Sequence, residues 1–296
     1  MTLQKWACVI GSPIDHSLSP VLHQRAYQLA GIDWEYRRFE VDEASLAEFM
    51  RDLPAECQGI SVTMPCKIKI ASHLDNVDGL AKAVGAVNTV VCGGGLRSGF
   101  NTDVQGIVGA LVKASNTGTS ATQLAAVQPS AVATKLRAVI LGTGATAASA
   151  LTALAQMGIR EVSVVGRRFG AQTALGLAAT RLNLTYQPVN WRMLDTVTSE
   201  IDRATVVIST VPPQVAAVAA EGISVNREQV FLDVTYTREA RPLTRAFSAG
   251  GARVASPLDM LVYQGLAQVK LMAGYEVPFE PVSKAVQAAA DESVVS

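Results

Sequence analysis

The sequence predicts a two-domain α/β protein, and three observations carry that reading. Apolar runs of strand length alternate with helical segments along most of the 296 residues. In the second half, a glycine-rich turn joins an apolar strand to an alanine-rich helix. Between the halves lies a charge-free stretch over 114–134, rich in Ala, Ser, Thr and Gln, which reads as a flexible linker or excursion.

Composition bounds the function. Hydrophobic residues make up 49% of the chain and charged residues 17%, enough for two cores and against global disorder. The 25 basic and 25 acidic residues cancel, so neither a nucleic-acid footprint nor a polybasic membrane patch is expected. Cys8, Cys57, Cys66 and Cys92 form no C-x-x-C pair, which argues against zinc or a disulfide framework. The first residues lead straight into a strand without a secretory leader, and a cytoplasmic location is expected.

In chain order, 6–10 reads as a strand closed by Gly11-Ser12-Pro13. A helix follows to about Ala30, with Ser19 as cap, Pro20 at its first position and Gly31 as stop. Strands are expected over 34–41, 59–62 and 86–91, and helices over 44–51 and 79–84. Gly93-Gly94-Gly95 marks a hairpin whose return strand ends near Asn101-Thr102-Asp103. A helix capped by Asn101 or Asp103 then runs to Lys113. Further strands are expected over 184–189, 204–210, 229–234 and 251–255, with a helix over 171–182. Leu258, Leu261, Val262, Leu266 and Val269 fall at helical spacing, on a helix expected to return to the first domain.

The most informative stretch is Val139-Ile140-Leu141-Gly142-Thr143-Gly144-Ala145-Thr146-Ala147. Gly142 permits the tight turn, Gly144 a close approach of backbone N–H groups to phosphates, and Ala147 close helix–sheet packing. A second strand over 162–165 follows within one βαβ length, so the reading is a Rossmann-type dinucleotide site. That strand ends in Gly166-Arg167-Arg168 with no acid for ribose hydroxyls. Two guanidiniums there suit a 2′-phosphate and favour NADP(H), the alternative being a solvated basic turn.

Candidates for chemistry lie in the first half. Lys67 follows a strand at the edge where open α/β sheets bind ligands, although a lysine there is often only a surface charge. Asp103 could be only a helix cap; together the two could form a proton donor and its holder. His16 and His23 read as ordinary polar residues of the first helix. Ser12, Asp15 and His16 crowd one loop without a nucleophile elbow, which argues against a hydrolase, and no metal spacing is present.

These motifs, in this order, resemble the shikimate dehydrogenase family over nearly the whole chain. The segment from Gly11 to Pro20 resembles its substrate-carboxylate loop, which implies that Ser17 and Ser19 hold the acid. Ser61-Val62-Thr63-Met64-Pro65-Cys66-Lys67 resembles Asn-Val-Thr-x-Pro-x-Lys, implying substrate contacts at Ser61 and Thr63 and a catalytic Lys67. Gly85-Ala86-Val87-Asn88-Thr89 and Asn101-Thr102-Asp103 imply substrate binding at Asn88 and a catalytic partner at Asp103. Tyr236 and Gln264 match further substrate contacts. The cofactor set is Gly142, Thr143, Gly144, Ala145, Thr146, Ala147, Arg167, Arg168, Thr210 and Met260. Ser61 stands where the family often has Asn, so its bond to the ring hydroxyls is expected to be shortened or water-mediated. Gly166-Arg167-Arg168 replaces Asn-Arg-Thr, and Pro257-Leu258-Asp259 replaces a more glycine-rich turn.

The resemblance implies a substrate domain of 1–104 with 258–296 and an NADP-binding domain of 105–257. It also implies reversible reduction of 3-dehydroshikimate to shikimate in aromatic amino-acid biosynthesis, by a monomer or homodimer. The alternatives are a quinate/shikimate enzyme using NAD and a non-catalytic NADP-binding regulator.

Overall fold

The computed structural model describes residues 4–115, 136–236 and 241–295. The chain divides into two units, Met1–Gly106 with Leu261–Ser296 and Ile107–Met260.

The first unit opens with β1 (Trp6–Gly11), α1 (Ser19–Ala30), β2 (Glu35–Glu40), α2 (Leu46–Arg51), β3 (Cys57–Val62) and β4 (Asn76–Val77). It continues through α3 (Gly79–Val84), the hairpin β5 (Thr89–Gly93) and β6 (Leu96–Phe100), and the start of α4 (Asp103–Ser115). The sheet order is β2-β1-β3-β5-β6-β4. β1 is buried along its whole length, as expected of an apolar run paired in parallel on both sides. β5 runs antiparallel to both β3 and β6, so this sheet is mixed. Ile10, Leu46, Met50, Ile60, Ile70 and Val90 belong to its core.

Two local details differ from the sequence reading, and a third decides between its alternatives. Leu18, with φ −88° and ψ 0°, occupies the N-cap position without a side-chain bond, and Ser19 is the first residue of the helix rather than its cap. The Ser17 hydroxyl instead accepts the Ser19 N–H at 3.3 Å. β5 begins at Thr89 rather than 86, because the Ala86 carbonyl accepts from Asn101 Nδ2 and the Val87 N–H donates to the Lys67 carbonyl. At α4, Asn101 Oδ1 accepts from Val104 N–H, which leaves the Asp103 carboxylate free for other partners. Ala114 and Ser115 close α4, and the rest of the expected excursion lies outside the described residues.

The second unit contains β7 (Arg137–Leu141), α5 (Ala145–Gln156), β8 (Glu161–Gly166), α6 (Ala174–Leu182), β9 (Gln187–Asn190) and α7 (Leu194–Arg203). β10 (Val206–Ser209), β11 (Val230–Asp233), α8 (Pro242–Ala249) and β12 (Arg253–Ala255) follow. Its sheet, β12-β11-β10-β7-β8-β9, is parallel throughout. The chain leaves β7 towards β8 and returns to its other side as β10, so the switch point lies above β7 and β10. Val139, Leu141, Val165, Val207 and a stacked Phe231–Phe247 pair with centroids 4.3 Å apart build the core.

α9 (Pro257–Ala273) and α10 (Phe279–Val295) end the described chain, and from Leu261 onward it belongs to the first unit. α9 approaches closely there. A Cβ at Gly265 would lie 2.6 Å from Leu22 of α1, and one at Gly59 of β3 would lie 2.5 Å from Met272. Among the described residues no helix is long and apolar enough to cross a membrane.

Candidate active site

The loops after β1 and β3 lie side by side at neighbouring strand ends. The Ser12 N–H donates to the Met64 carbonyl at 3.0 Å. Gly11 permits this approach, since a Cβ there would stand 2.3 Å from Thr63. The Thr63 N–H continues the pairing to the Ile10 carbonyl, and the Cys66 N–H turns back onto the Thr63 carbonyl, which delivers Lys67 just beyond the strand.

Lys67 Nζ lies 2.6 Å from Asp103 Oδ2, with side chains 16% and 6% exposed. The other carboxylate oxygen accepts from Asn88 Nδ2 at 2.8 Å. Asn88 is itself fixed: Nδ2 also donates to Thr102 Oγ1 and Gln264 Oε1, and Oδ1 accepts from Thr102 N–H and Thr89 Oγ1, both at 2.8 Å. Lys67, Asn88, Asp103 and Gln264 therefore share one network, drawn from distant parts of the chain. Both carboxylate oxygens of Asp103 are thus engaged, one by an ammonium and one by an amide, away from bulk water.

Ser17 and Ser19 are both buried. The Ser17 carbonyl accepts from Arg38 Nη2 at 3.0 Å, and the Ser19 carbonyl faces His23 Nδ1 at 2.9 Å. His23, read as an ordinary polar residue, is wholly buried and stacked on Tyr36, with ring centroids 4.0 Å apart. Burial pulls its pKa down to about 4, against the opposing bond to Ser19. Tyr36 in turn donates to Ser61 Oγ at 2.6 Å, and burial holds its phenol well above the usual range. Ser61 is buried, and its hydroxyl is engaged by protein on both sides, by Tyr36 and by Gln268 Oε1 at 2.6 Å.

Within the second unit, the Gly142 N–H closes onto the Val165 carbonyl, and Gly142 adopts φ +115°. A Cβ there would stand 2.4 Å from Thr210 Oγ1, whose hydroxyl donates to the Leu141 carbonyl at 2.8 Å. Nothing lies within 4 Å of a Cβ built on Gly144, and α5 starts there without a side-chain cap. The exposed Gly144 and the partly exposed Ala145 and Thr146 thus present the uncapped helix start to an anion, while Ala147 is buried. A Cβ on Gly166 would meet Thr143, while Arg167 and Arg168 beyond it are exposed and form no salt bridge among the described residues. This cradle fits a dinucleotide pyrophosphate and a phosphorylated ribose. Met260 is buried in α9, and the half-buried Tyr236 follows a turn in which Asp233 Oδ1 accepts from Thr235 N–H and Oγ1.

Sequence reasoning gave no role to Thr89, Thr102, Tyr36 or Gln268. Gln268 was findable, because it stands one helical turn beyond Gln264 and so on the same face of α9.

Residues 9–90 match the family described as shikimate dehydrogenase substrate binding domain. A shikimate dehydrogenase (NADP(+)) of Bacillus cereus is 32% identical over 271 residues, covering 90% of this chain and 91% of its own. The crystal structure of Mycobacterium tuberculosis shikimate dehydrogenase is 32% identical, with TM-score 0.79 over 96% of this chain and 99% of that one. The Thermus thermophilus shikimate 5-dehydrogenase, solved in complex with NADP(H) and shikimate, is 26% identical, with TM-score 0.75 over 97% and 100%. With relatives of this identity matched along nine-tenths of its length, the chain belongs to the shikimate dehydrogenase family.

Proposed function

We propose that this protein is an NADP-dependent oxidoreductase that interconverts 3-dehydroshikimate and shikimate, with Lys67 and Asp103 as its catalytic pair. The single observation that carries the chemistry is the buried Lys67–Asp103 contact, braced by Asn88 on the second carboxylate oxygen. When bound, the reduced nicotinamide supplies the hydride that adds to the substrate carbonyl carbon. The Lys67 ammonium donates a proton to the carbonyl oxygen as negative charge develops on it. Asp103 orients that ammonium, and in the reverse direction the neutral amine takes the proton back. Ser17 and Ser19 hold the substrate carboxylate, and Asn88 and Gln264 take ring hydroxyls. Thr63 and Tyr236 are assigned to substrate with them. Gly142 to Ala147, Thr210 and Met260 hold the cofactor, and Arg167 and Arg168 hold its 2′-phosphate.

The test is cofactor reduction, followed by the absorbance of the reduced nicotinamide, with shikimate and with quinate, each with NADP⁺ and NAD⁺. Turnover of shikimate with NADP⁺ well above the other three combinations is expected. Turnover of quinate with NAD⁺ at equal or greater efficiency would replace this reading by a quinate/shikimate enzyme. Cofactor binding without turnover of either acid would make the protein a regulator.

A further inference from the structure

The buried bonds around Ser61 have a direction, and it is fixed by one atom. The Asn88 backbone carbonyl can only accept. It takes the Val62 N–H at 2.8 Å and Gln268 Nε2 at 2.9 Å. The same Nε2 reaches Thr89 Oγ1 at 3.1 Å. With the amide nitrogen of Gln268 committed to that side, its oxygen must face Ser61, so Ser61 must donate, and Tyr36 must donate to Ser61. The one proton of the Ser61 hydroxyl is therefore used inside the protein. Gln268 is only 1% exposed and meets no solvent that could substitute for these partners.

We propose that Gln268 is a positioning residue for the catalytic carboxylate, and that Ser61 serves Gln268 rather than the substrate. Gln268 fixes Asn88 at its backbone carbonyl and, through Thr89 Oγ1, at its side-chain oxygen. With Asn88 so held, its Nδ2 points at Asp103 Oδ1, which leaves Oδ2 to Lys67. The order of dependence runs Tyr36, Ser61, Gln268, Asn88, Asp103, Lys67. This rests on the catalytic role given above to Lys67 and Asp103.

The experiment compares Gln268→Ala, the nearly isosteric Gln268→Met, Ser61→Ala, Ser61→Thr and the Ser61→Ala/Gln268→Ala double variant. Loosening Asn88 by a fraction of an ångström should lower kcat for shikimate by roughly 10- to 100-fold in either Gln268 variant, with the KM for NADP⁺ unchanged. Ser61→Ala should lower kcat in the same direction, Ser61→Thr should restore it, and the double variant should be no worse than Gln268→Ala alone. Crystal structures of the Gln268 variants read the same inference without activity, through loss of the Asn88–Asp103 bond. A Gln268→Met enzyme with wild-type kcat and only a lower Tm would overturn it, as would a Ser61→Ala enzyme with intact kcat and a raised KM for shikimate. A wild-type protein that does not turn over shikimate would sink the proposed reaction, while the variant structures would still decide the role of Gln268.

Discussion

Lys67 Nζ and Asp103 Oδ2 stand 2.6 Å apart in a setting that leaves 16% and 6% of their side chains to solvent. A pair so placed costs desolvation that offsets much of its attraction, so it is a weak source of stability. Lys67→Ala should lower kcat by roughly 10²–10⁴-fold, the range for a lost general acid, with substrate binding little changed. Steady-state kinetics with calorimetric shikimate binding checks this. Turnover near the wild-type rate would reduce Lys67 to a surface charge.

Ser17 Oγ accepts the Ser19 N–H, which leaves its own proton to donate outward, and Arg38 pins the backbone beneath it. A neutral hydroxyl on a charged acceptor is worth about 1.5–3 kcal/mol. The Ser17→Ala/Ser19→Ala variant, which removes two such bonds, should therefore lose shikimate affinity by about a hundredfold or more, at tenfold per about 1.4 kcal/mol, and retain NADP⁺ affinity. Equal loss of both ligands in titration calorimetry would indicate damage to the fold instead.

Arg167 follows β8 directly, exposed and without a salt bridge among the described residues. One charge-assisted bond to a 2′-phosphate is worth about 1.5–3 kcal/mol. Arg167→Ala should raise the KM for NADP⁺ about tenfold or more and leave that for NAD⁺ almost unchanged. A parallel rise in both KM values would mean that the arginine does not read the phosphate. Introducing an acid at Gly166 is a poor alternative, since its Cβ would stand 2.6 Å from Thr143 Cγ2.

His23 makes stability depend on pH in a definite direction. Buried and stacked on Tyr36, it has its pKa pulled down from 6.5 to about 4. Between those values the unfolded chain binds a proton that the folded chain refuses. Stability is therefore full above pH 6.5 and falls as the pH drops towards 4, by about 3 kcal/mol at about 1.4 per unit. Tm measured across this window should decline with acid, and His23→Phe should flatten His23's share of the slope. An unchanged slope in that variant would assign the effect to carboxylates.

The glycine loop was legible because its structure is local. Strand, turn and helix are adjacent in sequence, and Gly142 there, like Gly31 after α1, adopts the positive φ expected of a turn or helix stop. The Asn101-Thr102-Asp103 corner was legible for the same reason. α7 was equally legible and was passed over: Leu194, Val197 and Ile201 stand at i, i+3 and i+7, one apolar stripe on an otherwise polar segment. β4 is two residues long and defined wholly by its partner β6. Ser61 could be placed on a strand but not given its partners, since Tyr36 and Gln268 meet it only in three dimensions. His23 shows the limit most plainly, because nothing in its neighbours marks a histidine that the fold keeps dry.

The partners of Asn88 and Ser61 on α9 lie 176 and 207 residues away along the chain. Ile107–Met260, by contrast, is one uninterrupted segment. During synthesis that segment can close while the first sheet still waits for Gln264 and Gln268 to emerge. Closing so long a loop is slow, and strands without their final cover are exposed to misassembly meanwhile. The network around Asn88 is thus completed only by the last part of the chain, so a nascent or truncated chain ending before 261 carries Lys67 and Asp103 without the amides of Gln264 and Gln268.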